Sequence, residues 1–294
     1  MTELLALDLK AAAMHAISLD GTAVRTLVDG LDQMPDGIVV DQLRGHIYWT
    51  NMGRPDPGAQ LGTEPEFFTR NGSIERVDLD GRNRVTIVPV GAFTTGKQLA
   101  ADFEAGRLYW CDREGMAVLT CDLDGGDLRP LVVTGADPRI TRNWCVGICL
   151  DPDRRLVYWT QKGAAKGGDG RIFRAPIDLP PGATPDNRPD IELLWQDLPE
   201  PIDLELHGPH LIWTDRGAPP EGNTLYEATV QPEIGAPQII SRGYREAIGV
   251  TGYDRHFYVS ELGGSIRLVD LGTGTDTELV RLHSPLTGIA LADL

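Results

Sequence analysis

Cysteine is scarce in this chain. Four in 294 residues are too few to staple a protein of this length into a disulfide scaffold. Cys145 and Cys149 fall four apart on one expected strand, hence on one face, and read as small buried hydrophobes. No run of about 18 apolar residues occurs, so no helical membrane span is expected. The first residues, Met-Thr-Glu-Leu-Leu-Ala-Leu-Asp, carry Glu3 and Asp8 and no basic region, and do not read as a secretory signal. Together these absences lead to an expected cytoplasmic location. Positive charge is also in deficit: 27 Lys and Arg stand against 43 Asp and Glu, a net charge of −16. A surface of that sign repels phosphate backbones and anionic lipid, so neither nucleic acid nor membrane is an expected partner. There is no nucleophile elbow, P-loop, dinucleotide fingerprint or zinc motif, and the six histidines form no ligand cluster.

What the chain does have is one phrase repeated. Tyr48-Trp49-Thr50-Asn51, Tyr109-Trp110-Cys111-Asp112, Tyr158-Trp159-Thr160-Gln161 and Ile212-Trp213-Thr214-Asp215 are clear copies. Tyr258-Val259-Ser260-Glu261 is a degraded fifth and Leu5-Ala6-Leu7-Asp8 a more degraded sixth. Repeats of 40 to 50 residues built from short strands are the mark of a β-propeller. Each unit reads as four strands. In the first, Asp36–Asp41 is a nearly continuous apolar run, His46–Thr50 is aromatic and β-branched, Ile74–Leu79 alternates, and Asp80-Gly81 closes a hairpin onto Arg84–Val88. The chain ends in an inner strand, Gly288–Asp293, and begins with second, third and fourth strands. The last blade is therefore expected to be shared between the termini, which removes free sheet edges. The expected fold is all-β: residues 1–294 as one domain, a six-bladed propeller of four-stranded antiparallel blades.

The phrases resemble the YWTD repeats of low-density-lipoprotein-receptor-type six-bladed propellers. The likeness extends to the order of a Gly-apolar inner strand, Asp, a short turn, the phrase itself, then Ile-x-Arg and Leu-Asp-Gly, and it covers essentially the whole chain. It implies that the Tyr and Trp pack between blades, and that the acid bonds to backbone or to an arginine such as Arg76, Arg174 or Arg267.

Function in such a ring is expected where the loops surround one mouth of the axial channel. Aligning the repeats puts Asp36, Gln98, Val146, Asp203, Ile248 and Thr287 at equivalent positions around the axis. Asp36, Asp203 and Glu246 are candidate catalytic acids or bases. Lys97, Gln98, Arg142 and Asn143 are candidate substrate-binding residues, with Phe67 and Phe68 of the long Asn51–Gly72 insertion as a cap over the pocket. Asp36, Glu200 and Asp203 could hold Ca²⁺ or Mg²⁺, both of which take oxygen ligands. The reading these residues support is a small-molecule enzyme of hydrolase or lyase type. The alternative is a non-catalytic recognition propeller that binds a protein partner on its loop face.

Overall fold

The computed structural model describes residues 1–58 and 65–294. Among these it holds 24 strands and one short 3₁₀ turn. They form six four-stranded antiparallel sheets, and each inner strand packs against the inner strand of the next sheet. Blades 1 to 5 span residues 35–93, 96–133, 145–198, 201–242 and 247–281. Blade 6 is composite: the inner strand Leu286–Asp293 pairs with Thr2–Asp8, which leads into Ala13–Ser18 and Val24–Val28. This is the ring closure expected from the sequence, and it gives the outermost turn of both chain ends a partner.

Period-2 alternation on the second strand explains the aromatic pair. Adjacent residues of a strand point to opposite faces. Trp49 therefore packs back against blade 6 with Leu5, Met14 and Ala290, while Tyr48 packs forward against Leu99 and Trp110 of blade 2. Trp110, Trp159 and Trp213 repeat the backward contact, and Tyr109 and Tyr158 the forward one. The four Trp side chains are fully buried. Trp213 is sandwiched between Trp195 and Tyr226, both with ring centres 5.2 Å away. Each blade has two apolar faces, and these rings glue one blade to the next.

The third residue of the phrase joins the blades by hydrogen bonds. Every inner strand of blades 1 to 5 breaks register two residues before the one opposite the Trp position. The break frees an amide, and the threonine hydroxyl takes it. Thr50 Oγ1 accepts from Gly37 N at 2.9 Å and donates to Lys97 O of the next blade at 2.6 Å. Thr160 does the same between Gly147 N and Ile202 O, and Thr214 between Asp203 N and Ile248 O. Ser260 bridges Gly249 N and Thr287 O. The irregularity also corrects one expectation. Cys145 and Cys149 do not share a face: the shift between Cys145 and Ile148 sends Cys145 toward Trp159 and Cys149 toward Tyr158.

Where the fourth residue is aspartate it bonds to backbone, not to the arginines named above. Asp112 Oδ1 and Oδ2 accept from the amides of Thr95 (2.7 Å) and Thr94 (2.9 Å). Asp215 accepts from Glu200 N and Gly217 N. Arg174 and Arg267 instead take acids on their own outer strands, Glu192 and Asp276.

A test isolates the hydroxyl. Thr160→Val is nearly isosteric and leaves two buried backbone groups unsatisfied, so it is expected to lower unfolding free energy by about 1–3 kcal/mol. Thr160→Ser keeps the bridge that Ser260 makes in blade 5 and should lose less. Urea midpoints at unchanged m-value would report both.

Candidate functional site

Three concentric sets of residues follow from the repeat and build the upper mouth. The innermost set lies two positions before the residue opposite the Trp: Asp36, Lys97, Val146, Ile202, Ile248 and Thr287. The next set leads into the inner strands: Met34, Thr95, Trp144, Glu200, Glu246 and Pro285. The third follows the phrase directly: Leu9, Met52, Arg113, Lys162, Arg216 and Leu262. In each blade the amide of the third set donates to the carbonyl of the second, as in Met52 N to Met34 O at 2.9 Å and Arg216 N to Glu200 O at 3.1 Å.

This register corrects the expected alignment. Gln98 and Asp203 are equivalent to Gly37, not to Asp36, because the blade 2 and blade 4 strands were aligned one residue out of step. A slip of one residue sends a side chain elsewhere. Asp36 and Lys97 line the upper cavity, of about 520 Å³. Asp203 and Gln98 line a separate lower cavity of about 510 Å³. Between the two, Val146, Ile202 and Ile248 pack together with Leu262 as an apolar plug on one side of the axis.

The upper cavity is divided in character. Leu9, Met52 and Leu262, on the adjacent blades 6, 1 and 5, make one half apolar. Arg113, Lys166 and Arg216, contributed by the adjacent blades 2, 3 and 4, bring cations to the other half, each paired with an acid: Glu114, Glu246 and Glu200. Arg113 stacks over Trp144 at 4.9 Å and over Phe67 at 5.5 Å, and bonds Glu114 at 2.6 Å. Lys162 lies 5.3 Å from the Trp144 ring.

The acids at this mouth are engaged by cations. Asp36 accepts from Lys97 Nζ, and from Gln98 Nε2 at 3.1 Å. Glu200, only 1% exposed, accepts from Lys162 Nζ (3.2 Å), Arg216 Nε (2.8 Å) and Lys166 N (2.9 Å). Glu246 accepts from Lys166 Nζ at 2.6 Å. Burial lowers the Lys97 pKa, and the Asp36 charge opposes that shift. Asp203 accepts from the amides of Leu204 and Val250, and burial raises its pKa well above the usual range.

The proposed metal set is therefore not assembled. Glu200 and Asp36 spend their oxygens on lysine, arginine and glutamine, and Asp203 faces the other cavity. Among the described residues no group of three or more acids, histidines or cysteines is placed to hold a metal. Arg142 is exposed and outside the cavity, and its carbonyl accepts from Arg171 Nη2 at 2.7 Å. Asn143 lies at the blade 3 rim, where its carbonyl accepts from Thr134 Oγ1. Phe67 is buried and lines the cavity, whereas Phe68 is half-buried, with its amide on Asp56. Residues 59–64 of the insertion lie outside the described residues.

Sequence reasoning missed Arg113, Lys162, Lys166, Arg216 and Trp144. The signal was present. The residue after each phrase faces the mouth, and in three successive blades it is basic.

Fold and mouth together define a YWTD-type propeller. Comparison with known proteins places the chain more closely. It is 42% identical over 293 residues to low-density lipoprotein receptor-related protein 1 of Pyricularia oryzae, an alignment covering 92% of this chain and 89% of that protein. It is 37% identical to 3-hydroxyacyl-CoA dehydrogenase-like protein LAM1 of Cochliobolus heterostrophus, covering 97% of this chain but 62% of that longer protein. A solved nidogen/laminin complex contains a chain that superposes over 100% of this one with a TM-score of 0.76 at 21% identity, a likeness of fold. No family model matches. The chain belongs to the low-density-lipoprotein-receptor-related YWTD propeller family.

That membership overturns the expected hydrolase or lyase. The family is one of receptor-related proteins, and it favours the recognition alternative. The candidate acids are also dispersed and engaged: Asp36 and Glu246 are held by lysines, and Asp203 by backbone amides in the other cavity. The dehydrogenase name is not carried over either. A dinucleotide site needs a glycine-rich turn into a helix, and among the described residues there is no α-helix.

Two measurements follow. Lys97→Met leaves Asp36 buried without its cation, and breaking such a pair costs about 3–5 kcal/mol. Adding Asp36→Leu should recover much of the loss. Second, burial raises Asp112 to about 6 and Asp215 and Glu205 to about 7. The folded state thus binds protons that the unfolded chain releases near pH 4. The resulting stabilisation is full below about pH 4 and is lost as pH rises through about 6 to 7. Asp215→Asn, which copies Asn51 of blade 1, should flatten that decline in urea midpoints measured across the range.

Proposed function

We propose that this chain is a recognition propeller that binds a segment of a partner protein at its upper mouth. The observation that carries the reading is the divided cavity: apolar over blades 5, 6 and 1, cationic over blades 2 to 4. An apolar side chain of the partner fits against Leu9, Met52 and Leu262. A neighbouring polar side chain fits the side of Arg113, Lys166 and Arg216, whose charges are shared with Glu114, Glu246 and Glu200. At about 520 Å³ the cavity holds one or two side chains, so a short segment is anchored there and the surrounding loops supply the rest of the contact. The relatives support protein partners: one is named as receptor-related, and the structural neighbour was solved in a complex with laminin.

The test is selection of peptides from a displayed random library against the intact protein. Peptides bound by the wild type are expected to weaken about tenfold or more against Leu262→Arg and against Arg216→Glu, in keeping with anchors that dominate an interface. Binding should also weaken as salt is added. Selected peptides that bind both variants as tightly as the wild type would remove the mouth from the proposal.

A further inference from the structure

The repeat also builds clefts between blades on the lower face, and one of them is unlike the others. Between blades 1 and 2 the cleft is lined by His46, Tyr48, Arg76 and Leu123. Between blades 3 and 4 the lining at the same positions is Leu156, Arg174 and Val230, with Tyr158 fully buried beneath them. Between blades 5 and 6 they are His256, Tyr258, Leu268 and Leu19. The strand registers confirm the equivalence, with Tyr48 opposite Arg76, Tyr158 opposite Arg174 and Tyr258 opposite Leu268.

Each of the other two clefts has a contact across it that the third lacks. In the cleft of blades 3 and 4 the arginine straps the interface: Arg174 Nη1 donates to Val230 O of the next blade at 3.2 Å. Leu268 has no head group to do this. In the cleft of blades 1 and 2, Tyr48 packs on Phe103 of the next blade, ring centres 6.3 Å apart. At Phe103's position blade 6 carries Asp293, and among the described residues Tyr258 has no ring partner. The three clefts have volumes of about 340, 480 and 700 Å³, the last being the one between blades 5 and 6. The open cleft is walled by Leu19, Tyr258, Leu268 and Leu291. At its edge stand His256, Asp293, which accepts from Thr2 Oγ1 at 2.6 Å, and Tyr253, 75% exposed.

We propose that the cleft between blades 5 and 6 is a binding site for a small planar aromatic molecule bearing a hydroxyl or ring N–H. The ligand's ring takes the place that Phe103 fills two blades away, against Tyr258 and between the leucines, where offset or edge-on ring contacts add to apolar burial. Its donor reaches the rim, where Asp293 and His256 are the acceptors. The site is independent of the upper mouth and shares no residue with it.

The probe is 2-naphthol, titrated into the intact protein by calorimetry, with its saturated counterpart decahydro-2-naphthol in a second arm. Saturable binding at one site per chain is expected, with the aromatic compound the tighter. Leu268→Arg, which restores the residue of blades 1 and 3, should weaken 2-naphthol by about tenfold or more while leaving the upper-mouth peptides bound. Independently of any variant, nuclear Overhauser contacts from bound 2-naphthol in the wild type should fall on the methyls of Leu19, Leu268 and Leu291. Absence of saturable binding, equal affinity for the saturated compound, or contacts at other methyls would overturn the proposal. Loss of peptide binding at the mouth with naphthol binding intact would instead fault the recognition reading alone.

Discussion

The ring depends on a break in each inner strand and on the hydroxyl that mends it. A register shift in an antiparallel pair leaves an amide without its ladder partner, and a buried amide must find another acceptor. The threonine of the phrase supplies one and passes its own proton to the next blade's backbone, so a defect within one blade becomes the bond between two. The close approach this needs is visible at Gly147, where a Cβ would lie 2.0 Å from Ile202 O. Where threonine is absent the bridge is made by other means. Cys111 Sγ donates to Gly147 O at 3.3 Å, and Thr287, on the inner strand itself, donates to Pro35 O at 2.9 Å. The acceptors differ by a residue, but in each case a side chain of one blade bonds a backbone carbonyl of the next.

The mouth inherits its form from that break. The shift presents one residue of each inner strand to the axis, and the turn after each phrase presents another. The repeat thus sets twelve positions and leaves their chemistry open. Here the chemistry is sorted by blade, with cations on one arc and apolar side chains on the other. Mixed charge at a channel mouth can mean reactive groups or internally neutralised ones, and composition alone does not separate the two. The partners do. Glu200 is 1% exposed and receives three donors, one of them a backbone amide. It ties Lys162, Lys166 and Arg216 together on that side of the ring.

Much of the frame was legible in the sequence because aromatic residues at strand spacing have few places to go. Tyr48, Trp49 and their repeats could only face two neighbouring blades, and the shared last blade followed from counting strands at the ends. The site was less legible, for a specific reason. A bulge breaks the strict alternation on which strand reading rests. Asp203 was aligned with Asp36 although it belongs with Gly37, and Cys145 was placed beside Cys149 although the shift parts them. The cations were overlooked because they sit one residue beyond a phrase whose four members drew the attention. Phe67 was found because an insertion of that length next to the mouth has to rest on something. Arg142 and Asn143 precede the right strand, but the 3₁₀ turn at Thr141–Asn143 leads Arg142 outward and brings Trp144 in.

The places where the repeat weakens are also where the molecule departs from uniformity. Blades 5 and 6 carry the degraded phrases, with Val259 and Ala6 at the Trp position and Leu268 where blades 1 and 3 have arginine. If those losses were neutral drift, the facing surfaces would be expected to close up by repacking, since interiors tolerate few voids. The core of that interface has done so: Leu4, Ala6, Ile17, Ile266 and Leu286 are fully buried. The lower edge has not, and there an exposed tyrosine and three leucines border a cleft of about 700 Å³. The same two blades furnish Leu262 and Leu9 to the apolar arc above. Blades 5 and 6 thus lack the Trp of the phrase, and their shared cleft lacks a strap like that of Arg174, while the backbone bridges Ser260 to Thr287 and Thr287 to Pro35 are kept. Closure and surface chemistry are carried by different atoms, and this separation lets blades 5 and 6 diverge without opening the ring.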